Sequence, residues 1–294
     1  MSDGLPKTAD IGGGRALSYQ LTGAGGPTVV LESGLGASSL EWAVLAPRLA
    51  ETTTVLTYDR AGFGSSTPVA APHTAMQMAA DCIHLLDAIH APGPYLLVGH
   101  SWGGVIARFV TDRIPDRVGG VVLVDATHEA LKMSKPLVAL LTLTSRKQAK
   151  RADSGALARR VAAGKSKRLQ MLLSAYPRAV QERFVREYCM RSFHAASEAE
   201  LAGLIESLTA VAALTPPRVP VVAVTGAKVD SRMERKARAK MTRIYSQLAG
   251  EWPSARHVLA PNSGHFVPQH DTDLLLEIVD DEIARCRAAA VQAG

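Results

Sequence analysis

The sequence predicts an α/β fold in which helices cover both faces of a doubly wound, mostly parallel sheet. Short apolar runs rich in β-branched residues recur along the chain, and segments of helical length separate them. Continuous apolar runs of this length are typical of strands buried on both faces, as in a parallel sheet. One long stretch without such runs interrupts the alternation, and it predicts a helical insertion between two strands.

The strands are expected at six buried runs, which are 28–31, 54–58, 95–98, 118–124, 219–224 and, more weakly, 256–259. An alternating stretch at 16–21 is consistent with antiparallel strands at one edge of the sheet. Apolar side chains at helical spacing predict helices over 76–91 and 102–114. These elements alternate along the chain as they do in α/β proteins.

Residues 128–217 contain several helical stretches and no convincing strand, and a cluster of prolines precedes the next strand. We expect them to form a helical cap inserted into a core made of residues 1–127 and 218–294. A separate all-helical domain is the alternative, but both flanks are needed to complete one sheet. Five apolar side chains of the insertion are candidates for lining a substrate pocket or for packing of the cap itself: Leu137, Leu140, Leu141, Met171 and Leu172.

The composition of the 294 residues, with 47% hydrophobic and 20% charged side chains, excludes disordered and collagen-like chains. Three cysteines lie far apart with no CxxC pair, so neither a disulfide framework nor a cysteine metal site is expected. No apolar run reaches the ~18–20 residues of a membrane span, and no secretory signal precedes the first strand. We therefore expect a soluble cytoplasmic protein, and the composition leaves its oligomeric state open.

The net charge of +6 is concentrated in one segment, because residues 146–168 contain nine basic side chains and one acidic one. This segment contributes +8, which leaves −2 for the rest of the chain. One basic segment without a binding motif does not predict nucleic-acid binding. Two interpretations stay open: a solvated helix face, or a patch that attracts anionic substrates or anionic surfaces.

The segment Gly99-His-Ser-Trp-Gly103 lies between a predicted strand and a predicted helix. A GxSxG motif at such a junction is the signature of a nucleophile elbow, whose sharp turn exposes the serine hydroxyl above the sheet. Glycines are expected on both sides of the serine because the turn brings neighbouring backbone too close for side chains. Ser101 is therefore the candidate nucleophile; the alternative is an incidental serine in a glycine-rich turn.

A serine hydroxyl needs a general base to act as a nucleophile near neutral pH. His265 follows the last predicted strand on a glycine-bearing loop, from which an imidazole can reach over the sheet edge. His270 is close by but does not directly follow Gly264, and His100 adjoins Ser101 but is expected to point away from it. We predict His265 as the base.

Four segments together resemble the α/β-hydrolase superfamily, in the subgroup with a helical cap: Leu31-Glu-Ser-Gly-Leu-Gly36, Tyr58-Asp-Arg-Ala-Gly-Phe-Gly-Ser65, Gly99-His-Ser-Trp-Gly103 and Ser263-Gly-His265. The resemblance implies an oxyanion hole formed by the backbone N–H groups of Leu35 and Trp102. Ser33 stands where the family usually has histidine, so the loop that carries Leu35 needs other support. Asp59 is expected to anchor a loop and not to take part in catalysis.

The same resemblance leaves two positions for the acid of a catalytic triad. The acid usually follows the strand after the cap, which points to Asp230, although its spacing from Gly226 is one residue too long. In some relatives the acid ends the strand before the cap, which points to Asp125. Functional residues concentrate at the carboxyl ends of strands in open α/β sheets. We favour Asp125 and keep Asp230 as the alternative.

Serine at the elbow, where haloalkane dehalogenases and epoxide hydrolases carry aspartate, implies acyl transfer through an acyl-enzyme. The predicted activity is hydrolysis of a small-molecule carboxylic ester, or of a lactone or thioester, with no cofactor and no metal. Two alternatives stay open. The same residues could perform another reaction, such as carbon–carbon bond hydrolysis or cofactor-free perhydrolysis, or the scaffold could be a non-catalytic ligand receptor.

Overall fold

The computed structural model describes residues 5–166, 169–170, 173–229 and 232–293. Its strands join in one sheet of order β1-β2-β4-β3-β5-β6-β7-β8. The pairings of β1 with β2 and of β2 with β4 are antiparallel, and all others are parallel, which confirms the predicted sheet. The strands are β1 (Lys7–Asp10), β2 (Ala16–Thr22), β3 (Thr28–Glu32), β4 (Thr54–Tyr58), β5 (Tyr95–His100), β6 (Val118–Val124), β7 (Val221–Gly226) and β8 (Ala255–Ala260).

Helices separate the strands of the parallel part, as the alternating pattern predicts. Short 3-10 turns at Ser39–Trp42, Pro115–Arg117 and Glu129–Leu131 complete the connections. The α-helices are α1 (Leu45–Leu49), α2 (Ala75–Ala88), α3 (Trp102–Arg113), α4 (Lys135–Asp153), α5 (Ala156–Ala162), α6 (Arg178–Tyr188), α7 (Arg191–Ala202), α8 (Leu204–Val211), α9 (Arg232–Glu251), α10 (Val267–His270) and α11 (Thr272–Ala293).

The sheet separates two buried apolar clusters, which explains why its central strands are apolar throughout. Successive side chains of a strand point to opposite faces. In β3, Val30 belongs to the cluster that includes side chains of α2 and α3, whereas Val29 and Leu31 belong to the one that includes α1 and α11. Burial of each such side chain contributes about 1.5–3 kcal/mol to folding. Because β5, β6, β7 and β8 are parallel, their carboxyl ends lie along one edge of the sheet.

Helices α4 to α8 occupy the chain between β6 and β7, where the cap was predicted. Helix α4 packs on α7. Small or β-branched side chains occupy half-buried positions of α4 at spacings of three and four residues, which lie on one face of a helix. These half-buried positions are Val138, Thr142, Ser145, Ala149 and Ala152.

The leucines of α4 are turned to the outside of the insertion. Leu137, Leu140 and Leu141 are 42%, 60% and 38% exposed, and α4 has no fully buried residue. Packing within the cap, one of the two roles expected for these side chains, is therefore wrong for all three. Met171 and Leu172 lie outside the described residues. Within the described ranges, no helix is long and apolar enough to cross a bilayer.

Candidate active site

Ser101 occupies a sharp turn between β5 and α3, with φ 53° and ψ −114°. Non-glycine residues rarely adopt this conformation, and such strain persists where the surrounding structure imposes it. A Cβ atom on Gly99 would lie 2.5 Å from the carbonyl carbon of Gly103, and one on Gly103 would lie 2.1 Å from the carbonyl oxygen of Glu32. Both glycines are therefore required by close backbone contacts, and the partly exposed Ser101 stands at the sheet edge.

Asp125 and His265 meet at the same edge. Asp125 directly follows β6, and its fully buried carboxylate has Oδ2 2.7 Å from Nδ1 of His265. The backbone of Asp125 also has a positive φ, of 40°. The elbow is tied to this strand end because the N–H of Ser101 donates to the carbonyl of Val124 at 2.9 Å. Asp230, the alternative acid, lies outside the described residues.

The loop after β8 has to cross the end of β7 for His265 to reach Asp125. Gly226, the last residue of β7, makes this crossing possible, because a Cβ there would lie 1.8 Å from the carbonyl oxygen of Gly264. The N–H of Gly226 donates to Oδ1 of Asp125 at 3.1 Å. One glycine thus allows the close passage of the histidine loop and helps to orient the carboxylate.

Arg238 is a site residue that sequence reasoning missed. Its Nη1 lies 2.6 Å from Oδ1 and 2.7 Å from Oδ2 of Asp125, and its side chain is 16% exposed. Burial alone would raise the pKa of Asp125, but the hydrogen bonds and positive charges of His265 and Arg238 outweigh it and lower that pKa. The carboxylate is therefore ionised at neutral pH. Nothing in the amphipathic pattern of α9 distinguishes Arg238 from its exposed neighbours.

The protonation of His265 depends on three neighbours. Its partial burial lowers the pKa of the imidazole, Asp125 raises it, and the positive charges of His100 and Arg238 lower it, so that the net change is downward. The imidazole is 37% exposed and its ring centroid lies 4.8 Å from that of His100. A lowered pKa leaves His265 neutral at neutral pH, which is the form that accepts a proton.

His100 links Glu41 to the backbone of His265. Its Nδ1 lies 2.7 Å from a carboxylate oxygen of Glu41, and its Nε2 lies 2.8 Å from the carbonyl oxygen of His265. Because both partners are acceptors, both ring nitrogens act as donors only in the protonated form. Burial lowers the pKa of His100, but the charge and hydrogen bond of Glu41 outweigh it and raise that pKa. His100 thus holds the backbone of His265.

The loop between β3 and the Ser39–Trp42 turn is held by charged side chains from elsewhere in the fold. Arg60 donates to the carbonyl oxygens of Ser33 at 2.8 Å and of Gly34 at 2.7 Å. The N–H of Gly34 donates to Glu41 at 2.7 Å. These contacts give the loop that carries Leu35 its support. Ser33 itself donates to a carbonyl of the same loop.

The insertion also holds this loop. Glu200, on α7, accepts from the N–H of Gly36 at 2.8 Å and from Nε of the buried Arg60 at 2.7 Å. Asp59 accepts from the N–H of Ser39 at 2.8 Å, as expected of a loop anchor. The motif at residues 58–65 indicated the anchoring role of Asp59. The role of Glu200 could not be predicted, because it lies in a helical stretch without a motif.

Two backbone donors near the elbow are left without an acceptor. Across the described ranges, neither the N–H of Leu35 nor that of Trp102 has a protein acceptor. Trp102 begins α3, and the first N–H groups of a helix have no partner within it and lie at its positive end. An anion that forms beside Ser101 is the kind of group that such donors stabilise.

The sequence pattern of the Alpha/beta hydrolase family matches residues 29–278. The chain belongs to the α/β-hydrolase family. Among solved structures, the epoxide hydrolase CorEH superposes with a TM-score of 0.69 at 21% identity, over 95% of this chain and 98% of that one. An esterase from Thermogutta terrifontis has a TM-score of 0.67 at 18% identity, over 96% and 99% of the two chains.

Curated proteins match this chain over shorter stretches. A protein provisionally named carbamate hydrolase RutD, from Caulobacter segnis, is 34% identical over 114 residues, which are 37% of this chain and 42% of that protein. The chain spans less than half the length of the first curated relatives that it matches. Structures at about 20% identity establish the fold alone, since one fold serves many chemistries.

Proposed function

We propose that this hydrolase cleaves carboxylic esters, including lactones or thioesters, through an acyl-enzyme formed on Ser101. The observation that carries the proposal is the 2.7 Å contact between Asp125 and His265 at the sheet edge that also bears the strained Ser101. Asp125 fixes the tautomer of His265, which leaves Nε2 as the acceptor for a proton. The substrate is a small molecule, and the reaction requires no cofactor.

The first half-reaction transfers the acyl group to the enzyme. His265 accepts the Ser101 hydroxyl proton as the serine oxygen attacks the ester carbonyl. The negative charge that forms on the carbonyl oxygen is stabilised by the N–H groups of Leu35 and Trp102. His265 then gives its proton to the departing alcohol, and Asp125 stabilises the imidazolium between these two transfers. In the second half-reaction His265 accepts a proton from a water that attacks the acyl-enzyme carbonyl. The carboxylic acid then leaves, and His265 returns the proton to the oxygen of Ser101.

The identity of the nucleophile favours esters over epoxides. Attack by a carboxylate on an epoxide or haloalkane gives an alkyl ester, whereas a serine oxygen forms a tetrahedral adduct with a carbonyl carbon. The fold is shared with the epoxide hydrolase CorEH and with the Thermogutta esterase, so the fold does not choose between the two reactions, and Ser101 favours the ester. Residues 128–217 act as the cap in this proposal, and they cover the core formed by residues 1–127 and 218–294.

The test is covalent labelling combined with turnover. We expect a fluorophosphonate to label the wild-type protein and a short p-nitrophenyl ester to be hydrolysed. Ser101→Ala should abolish both while circular dichroism shows an unchanged fold, because the hydroxyl is partly exposed and its removal creates little cavity. His265→Ala should lose activity to within an order of magnitude of Ser101→Ala, since residues of one catalytic unit do not contribute additively.

Ser254→Ala and His84→Ala are matched controls, because both side chains are exposed and lie away from the site. They should retain wild-type turnover. A receptor on this scaffold predicts no labelling and no turnover, and either result with folded wild-type protein would refute the proposal. Labelling without ester turnover would instead favour another reaction of the same three residues.

A further inference from the structure

The outer face of α4 combines exposed leucines with a cluster of basic side chains. Leu137, Leu140 and Leu141 are spaced by three and one residues, so they form a single apolar stripe on a helix. Half-buried positions such as Val138 and Ser145 lie beside the stripe, on the side of α4 that packs on α7. The stripe is therefore a stable part of the surface, and exposed leucines grouped in this way mark interaction sites.

Positive charge follows the leucines along the same helix and into α5. Within the described part of residues 146–168, only Arg146 and Asp153 form ion pairs, with Glu198 and Arg191 respectively. The other cations in this part of the chain are exposed, and none of them pairs with a carboxylate among the described residues. The exposed basic side chains are Arg146, Lys147, Lys150, Arg151, Arg159, Arg160 and Lys165.

An open groove of about 540 Å³ lies on another side of α4, because its lining residues Lys135, Val138 and Thr142 recur at helical spacing away from the leucine stripe. Leu143, which is 47% exposed, lies on its wall together with Val138, Leu201 and Ile205. Lys135 and Arg146 stand at its rim. Exposed apolar side chains and cations are therefore present on both sides of α4.

We propose that the outer face of α4, with its leucines and with the basic side chains of α4 and α5, binds the surface of an anionic phospholipid membrane. The leucines enter the boundary between headgroups and acyl chains, and the basic side chains of α4 and α5 contact lipid phosphates. The protein lies on the membrane and does not span it. This inference does not depend on the proposed esterase activity, because it rests on a surface that contains none of the candidate catalytic residues.

The charge of the face argues against the other occupants. A second copy of the chain would bring two clusters of like charge together, which is unfavourable. The phosphates of a nucleic acid would pair with the cations, but the exposed leucines would remain in contact with water or with phosphate. An anionic lipid surface offers a partner for both groups, since its phosphates are negative and its acyl chains are apolar.

The experiment measures binding of the full-length chain to lipid vesicles by co-sedimentation. Vesicles of phosphatidylcholine alone are compared with vesicles of equal parts phosphatidylcholine and phosphatidylglycerol, at low and high salt. We expect binding only to the anionic vesicles, weakened by salt. Lys147→Gln should weaken the partition coefficient about fivefold, from the contribution of one basic side chain near such a surface. Leu140→Ser should weaken it roughly tenfold through lost apolar burial.

Leu5→Ser and Lys240→Gln serve as controls, since they make the same changes at exposed positions outside the face. Both should bind as the wild type does. Equal binding to neutral and anionic vesicles, or none to either, would overturn the proposal. Binding that Lys147→Gln weakens but Leu140→Ser leaves unchanged would also overturn it, because the leucines would have no part. Self-association that disappears in Leu140→Ser, without vesicle binding, would assign the face to a second copy instead.

Discussion

Replacing Arg238 with glutamine removes the positive charge that contacts both carboxylate oxygens of Asp125. Oδ2 of Asp125 lies 2.7 Å from Nη1 of Arg238 and 2.7 Å from Nδ1 of His265, so these nitrogens are at most about 5.4 Å apart. Two unit charges at that distance repel by about 3 kcal/mol at an effective dielectric constant of about 20. The partial exposure of His265 roughly halves this energy.

The pH dependence of activity should therefore change in one direction. Without Arg238 the negative charge of Asp125 acts on His265 alone, and the pKa of the imidazole rises. The neutral base then persists only at higher pH, so the acidic limb of the kcat/KM profile should move upward by about one to two pH units. The fold should be retained, because Asp125 keeps its hydrogen bonds from Gly226 and His265.

The measurement is a pH profile for a p-nitrophenyl ester, with Arg235→Gln as the control on the exposed side of the same helix. The proton NMR titration of His265, assigned from its absence in His265→Ala, gives the same information without turnover. An acidic limb that stays in place or moves to lower pH in Arg238→Gln would refute the electrostatic reasoning. So would an equal displacement in Arg235→Gln.

Three further predictions address the acid, the crossing loop and the basic segment. Asp125→Asn should cost up to ~10⁴ in kcat on one ester while Asp230→Asn stays within tenfold of wild type, and the reverse result would move the acid to the position after β7. Gly226→Ala should lower kcat by more than tenfold, because its Cβ would overlap the backbone of the loop that carries His265. Urea denaturation should show that the free energy of unfolding falls by about 1–3 kcal/mol. Unchanged kinetics would contradict the passage of this loop over Gly226. If residues 146–168 attract anionic substrates, kcat/KM for a carboxylate-bearing ester should fall between 0.1 and 1 M salt relative to a neutral analogue, as the Debye length decreases from ~10 to ~3 Å. Equal salt dependence would exclude that role.

The sheet could be predicted because burial on both faces leaves a local signature in each central strand. Strand β1 left none: Lys7–Asp10 is mostly exposed, and backbone pairing with β2 holds it. Ser101 and His265 could be proposed because each follows a predicted strand in a recognisable turn. The acid could not be chosen in the same way, since two strand ends offered a carboxylate. The contact of Asp125 with His265 depends on the passage of the loop after β8 over Gly226. The contact of Arg238 with Asp125 depends on how α9 packs against the core. Neither can be predicted from local sequence.

The buried ion pair between Arg60 and Glu200 joins α7 of the insertion to the core, so α7 tolerates fewer substitutions than a helix without such a contact. Both side chains are buried, and removing one partner of such a pair costs about 3–5 kcal/mol. Since the same two residues hold Ser33, Gly34 and Gly36, any replacement of α7 has to preserve a glutamate that meets this loop. Among the residues that the structure describes, those of α4 and α5 form no hydrogen bond or ion pair with this loop. New substrate preferences or new surfaces can therefore be acquired in α4 and α5 by substitution, while α7 is inherited together with the sheet.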